Sequence, residues 1–203
     1  MPEDTELLLR VFSDMLPMEA KVAYLFGQTE PNQESVFAAG RELIDRGPLR
    51  TLWISGGRSR SGYLGAVATR RAMIEAGIPA DAIEEVPMEP TGILHTGIES
   101  EKVVQFARVR GLSQLIAVSS PFHQERAFMA MATAAMRGHP ALKVYSYPGR
   151  PQRWNELVTH SQGTLTGTRA ELIAEERKRI QLYNAQGDLA SRAEVLHYLR
   201  ARD

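Results

Sequence analysis

Residues 113–138 read SQLIAVSSPFHQERAFMAMATAAMRG. Leu115, Ile116, Ala117 and Val118 form a short apolar run that closes on two serines. The segment from Phe122 is helix-length and stops at Gly138, with Met129, Met131 and Met136 on a stripe that reads as core. A short buried strand followed directly by a helix is the repeating unit of an α/β fold. The same unit recurs on both sides. KVAYLFG (21–27) is a strand ending in glycine, followed by the helical NQESVFAAGRELIDRG (32–47) with Val36, Phe37, Leu43 and Ile44 on one face. RTLWIS (50–55), with Trp53 inward, precedes GYLGAVATRRAMIEAG (62–77). IEEVPM (83–88) is a weaker strand before IESEKVVQFARVRG (98–111), and LKVYSYP (142–148) is the last strand. A helix over DTELLLRVFSDML (4–16) comes first. This alternation predicts a Rossmann-like, open parallel sheet of about five strands with helices on both faces.

After Pro148 the pattern changes. Residues 149–168 are polar, with one or two short turns expected. RAELIAEERKRIQLYNAQG (169–187) predicts a charged amphipathic helix, in which EERKR (175–179) reads as a solvated face. LASRAEVLHYLRARD (189–203) predicts a closing helix. With no repeat, low-complexity tract or linker, the expectation is one domain over 1–203. Its core spans about 20–150, and a helical C-terminal extension spans 151–203.

Lys plus Arg equals Asp plus Glu at 24 each, which argues against nucleic-acid or anionic-membrane binding. Cysteine is absent, which removes disulfides, thiolate metal sites and cysteine nucleophiles. No signal peptide or apolar run of spanning length is found, so a cytoplasmic protein is expected.

In open parallel sheets ligands bind beyond the carboxyl ends of the strands, and the polar and glycine residues gather at that edge. Gly27 and Gln28 end the first strand. Ser55, Gly56, Gly57 and Arg58 end the second, with Arg60, Ser59 and Ser61 following. Their glycines, hydroxyls and charge suit an anion at a helix N-terminus, although a plain strand-to-helix turn has the same composition. The loop is neither GxxxxGK[ST] nor GxGxxG, and no GxSxG elbow occurs. Ser119 and Ser120 end the fourth strand as helix caps, donors or nucleophiles. His123 follows in the first turn of the helix, as a surface residue able to act as general acid or base near neutral pH. Arg126 shares its face and could clamp an anion. Glu99, near another helix start, could anchor a ligand, act as a base, or simply favour the dipole. His95 lies in the same loop. His139, His160 and His197 have no ligand spacing, and no metal is indicated.

Taken in order, ISGG, TGIES and SSPFHQERA, with SYPG at 146–149, resemble the YdcF, SanA and ElyC family over roughly residues 20–150. The family's Ser-x-x-His-x-x-Arg pattern falls on Ser120, His123 and Arg126. The chain is closest to the YdcF branch. The resemblance implies a Rossmann-like sheet with a cleft at the strand ends and, for that branch, S-adenosylmethionine or a related nucleotide as ligand. The family's first glycine-rich turn is reduced here to Gly27, and its Asn-Thr-x-Glu-Asn segment keeps only Glu99. The envelope role of SanA and ElyC goes with a membrane anchor and is not carried over.

Together these readings predict a small-molecule enzyme, a hydrolase or group transferase, acting on an anionic and nucleotide-like ligand. His123 and Glu99 are its candidate catalytic residues. A nucleotide-binding module without catalysis is the alternative. A third reading makes the 169–187 helix an assembly surface.

Overall fold

The first four strands are short and mostly buried, and each feeds a helix. The computed structural model describes residues 3–47, 49–88, 95–160 and 164–203. The order is α1 (Glu3–Phe12), β1 (Val22–Leu25), α2 (Glu30–Arg46), β2 (Thr51–Ser55), α3 (Ala66–Glu75), β3 (Ile83–Val86), α4 (Thr96–Val109), β4 (Gln114–Val118), α5 (Pro121–Gly138) and β5 (Lys143–Ser146). Then come β6 (Leu157–His160), β7 (Leu165–Thr168), α6 (Arg169–Ala185) and α7 (Arg192–Arg202). The first five strands form one parallel sheet in the order β3-β2-β1-β4-β5. This is the Rossmann-like α/β architecture that the alternation predicts.

Strand periodicity sorts the core into two layers. Val22, Tyr24, Trp53, Leu115, Ala117 and Val144 face one side, under α1, α4, α5 and α7. Ala23, Leu25, Leu52, Ile54, Ile116 and Val118 face the other, under α2 and α3. Trp53, Met129 and Met131 are buried as expected, and Met136 packs at the margin. Helix α5 is buried on nearly all faces because α4, α6, α7 and α1 surround it.

Helices α2 and α4 each start two residues earlier than the sequence reading placed them, and two larger differences stand out. Helix α3 starts at Ala66, not Gly62. Residues before it form a tight turn in which Arg60 and Tyr63 exchange main-chain hydrogen bonds of 2.9 Å, with Ser61 and Gly62 at φ 54° and 80°. The C-terminal extension is not wholly helical. Between Leu157 and Thr168 it forms an antiparallel hairpin, β6 pairing with β7 from Leu157–Thr168 to His160–Leu165. Among the described residues no helix is long and apolar enough to cross a membrane.

Candidate functional site

In the order β3-β2-β1-β4-β5 the chain leaves β1 towards one side of the sheet and leaves β4 towards the other. The loops after these neighbours diverge and open a crevice at the topological switch point. A cavity of about 70 Å³ lies there, lined among others by Gly27, Gln28, Thr96, Glu99, His123 and Arg126. The structure therefore brings together side chains that the sequence reading drew from three different loops.

Glu99 sits in the first turn of α4, which His95 caps through Nδ1 accepting from the Ile98 N–H. The Glu99 carboxylate is 5% exposed. Its Oε1 accepts from the Tyr24 hydroxyl at 2.6 Å and from the Gly27 N–H at 2.9 Å. Burial nevertheless pushes the carboxyl up to about 7, against the lowering by those two bonds and by Arg126. Tyr24 is held well above the ordinary phenol range by burial and by the Glu99 charge.

His123 is buried, which corrects the expectation of a surface residue. Its ring meets that of Phe26 edge-on and lies beside His160, whose ring centroid is 5.2 Å away. Its Nδ1 lies 2.9 Å from Ser119 Oγ, and Gln28 Nε2 donates to the same hydroxyl at 3.2 Å. The Glu176 carboxylate on the Nε2 side can only accept, which favours the ring proton on Nε2 and leaves Nδ1 to accept from the serine hydroxyl. Nε2 faces Thr96 Oγ1 at 3.4 Å and Glu176 Oε2 at 3.8 Å. Burial first, then Arg126, hold the imidazole well below its ordinary range, with Glu176 opposing. The ring is neutral at physiological pH, as a helix N-terminus alone would also favour, but burial is the larger cause.

Ser119 is fixed from below: its N–H donates to Gln124 Oε1 at 2.6 Å, and Gln124 in turn donates to Ala117 O and Ser146 Oγ. The Gly149 N–H donates to Ser119 O at 2.7 Å, and a Cβ at position 149 would lie 2.8 Å from that oxygen, so glycine permits the approach. Ser120 occupies the N-cap position of α5 with its carbonyl accepting from His123 N. Its hydroxyl and Gln28 Oε1 are buried with no hydrogen-bond partner among the described residues. The cavity lining includes neither serine. Ser119 orients His123.

Arg126 does share the face of His123, but its fork is engaged. Nε and Nη2 donate to the two oxygens of Glu176 at 2.6 and 3.1 Å, and Nη1 donates to Thr96 Oγ1 at 2.9 Å. Glu176 also takes His160 Nε2 at 3.0 Å and lies 3.7 Å from Arg179. It is almost wholly buried and stays ionised, held well below the usual carboxylate range, against the opposing effect of burial, by Arg126 and by the hydrogen bond from His160. The reading of 175–179 as a solvated face therefore fails at Glu176. A signal was present: Leu172, Glu176 and Ile180 repeat at four-residue spacing and form the buried stripe of α6. His160, scattered in sequence, is brought in by the hairpin. Thr96, Tyr24 and Tyr63 carried no signal of their own.

The loop after β2 is only partly at the site. Ser55 is buried, its carbonyl accepting from the Tyr63 hydroxyl at 2.6 Å. Gly56 N–H donates to Val86 O at 2.9 Å, and a Cβ there would lie 2.7 Å from the same oxygen. The glycine is thus required by the approach to β3. Gly57 N–H points to Ser55 Oγ at 3.4 Å, and Arg58 is exposed. None of the four lines the cavity; Arg60, Ser61 and Tyr63 of the following turn do. His139 caps the end of α5, its ring bonding Leu112 O, and His197 is exposed; both are remote from the site.

The fold and site define a Rossmann-like α/β protein with a polar pocket at its switch point. Compared with protein-family models and with curated proteins, the chain finds no match in either.

Proposed function

We propose that the protein is a small-molecule enzyme, a hydrolase or group transferase, acting on an anionic ligand at the switch-point cavity. The observation that carries this is the pairing of Glu99 and His123. Two buried titratable groups line one polar cavity, and their environments displace them in opposite directions: the carboxyl up to about 7, the imidazole down. Opposed shifts of this kind assign acid and base roles. Ionised Glu99 is the general base for the attacking group. His123 presents its Nε2–H to the developing negative charge on the leaving oxygen. Three guanidiniums, Arg60, Arg126 and Arg179, surround the cavity against two carboxylates, Glu176 and ionised Glu99, and the positive excess favours an anion.

A second reading, a module that binds S-adenosylmethionine or a related nucleotide without turnover, is favoured by the switch-point position, where sheets of this order take nucleotides. The resemblance of SSPFHQERA and SYPG to the YdcF branch supports the same ligand class.

Thermal-shift screening of wild type, Glu99→Gln and His123→Gln against S-adenosylmethionine, nucleotides, sugar phosphates and inorganic phosphate tests both readings. The enzyme reading expects a ligand that stabilises all three proteins and is turned over by wild type at least about 100-fold faster than by either variant. Binding without turnover by wild type supports the module. A well-folded wild type that no ligand stabilises removes both.

A further inference from the structure

A larger groove opens beside the cavity, with a volume of about 360 Å³. The two spaces share His95, Thr96, Arg126 and Tyr183 as walls, and the Arg126–Thr96 hydrogen bond is the sill between them. The groove follows the seam of α4 and α5. Gly97, Val104 and Arg108 mark its course on α4; Ala130, Ala134 and Arg137 mark it on α5. The eleven helical steps from residue 97 to residue 108 span about 16 Å. Val104, Ala130 and Ala134 give it an apolar stretch between the polar Glu101, Gln105 and Asp188, and Tyr183 near the end of α6 and Leu189 just beyond that helix close the third side. Arg108 and Arg137 end it, each donating to a main-chain carbonyl, Gly138 O at 3.4 Å and Gly187 O at 2.8 Å.

The cavity alone is too small for a whole metabolite, since small-molecule pockets run to roughly 300–1,000 Å³. The groove alone reaches that size but lacks the proton-handling pair. We infer that the two are one bipartite site. Its ligand places an anionic end in the cavity, against the His123 Nε2–H and the guanidiniums, and lays an unbranched apolar body along the α4–α5 seam. This inference rests on the reading of the cavity as an anion site and adds the ligand's second half.

The test is calorimetric titration of the full-length protein with ethyl, butyl, hexyl and octyl phosphate, with inorganic phosphate and octanol as references. Burying each methylene in the groove raises affinity about fourfold. Ala134→Phe fills the groove, and Ala130→Leu does so more gently should the first fail to fold. In a folded variant the chain-length gain is lost while inorganic phosphate binds as in wild type. Equal affinity for ethyl and octyl phosphate overturns the groove and leaves the cavity reading standing. A chain-length gain that survives in both filled variants places the chain elsewhere and overturns it as well. Octanol binding as tightly as octyl phosphate overturns the join from the other side, because the anion then contributes nothing.

Discussion

Glu99 and His123 give the folded chain two proton equilibria that pull stability in opposite directions. The Glu99 carboxyl rises from an ordinary 4.5 to about 7 on folding. Between those values the folded chain keeps a proton that the unfolded chain has lost, so this contribution is full below 4.5 and is gone above about 7. His123 is depressed from 6.5, so the unfolded chain takes up a proton that the folded chain refuses, and this contribution is lost as pH falls below 6.5. The two slopes oppose each other between 4.5 and 6.5, and wild-type stability is flattened there. Glu99→Gln removes one of them. Its stability relative to wild type should climb by up to about 3 kcal/mol between pH 4.5 and 7.5, because each tenfold change in proton affinity on folding is worth about 1.36 kcal/mol. His123→Gln should gain relative to wild type in the other direction, from pH 7 down to 5. Urea unfolding across that range reads both; variant curves parallel to wild type would show that neither group is displaced by folding. Both residues were legible as polar groups at strand ends. Their burial was not, because it depends on Phe26, Tyr24 and Glu176 arriving from distant elements.

At the scale of elements, the contact between α5 and α6 is an ionic one at its centre. Arg126 and Glu176 are both buried, fifty residues apart in sequence, and joined by two hydrogen bonds. Removing one member of a buried pair leaves the other charged and uncompensated, at about 3–5 kcal/mol, whereas replacing both with apolar groups of similar size is close to neutral. Glu176→Ala should therefore lose about 3–5 kcal/mol by chemical denaturation, and Arg126→Met/Glu176→Leu should recover much of that loss. His160 and Arg179 also lean on Glu176, so recovery stays incomplete. A double variant no more stable than Glu176→Ala would mean that the cost is packing rather than stranded charge. The helix itself was plain in the sequence, bounded by Thr168 with its capping box and by Gly187. The hairpin before it was not. In Leu157–His160 only Val158 and His160 point inward, and a four-residue strand with one buried aliphatic leaves no usable periodicity. The three central strands β2, β1 and β4 were legible as nearly continuous apolar runs, as burial on both faces requires, while β3, with Glu84 and Glu85 at its centre, gave the weaker signal of an edge.

For the molecule as a whole, the chain beyond Pro148 is part of the domain and of the site. Leu189, Val195, Leu196 and Leu199 belong to the same core layer as β1, β4 and α5. Arg202, near the C-terminal end, forms two 2.7 Å bonds with Asp14 after α1, both side chains almost fully buried. Asp14 also accepts from Ser146 N, and the Tyr198 hydroxyl accepts from Val144 N, so α1 and α7 satisfy the open edge of β5. The Leu172, Glu176 and Ile180 stripe of α6 is buried within the chain. Truncation after Pro148 removes all of this at once. It exposes the outer side of α5, frees a sheet edge, and leaves the Arg126 charge without its carboxylate. The truncated chain should fail to give a cooperative thermal transition by circular dichroism and should be digested rapidly under limited proteolysis. A fragment that melts cooperatively within a few degrees of the full chain would make the extension an appendage, and the cavity would then have to work without Glu176, His160 and Arg179. The packing of α5 argues against that outcome, since its polar N-terminal turn is held by α6 on one side and by the β1 loop on the other.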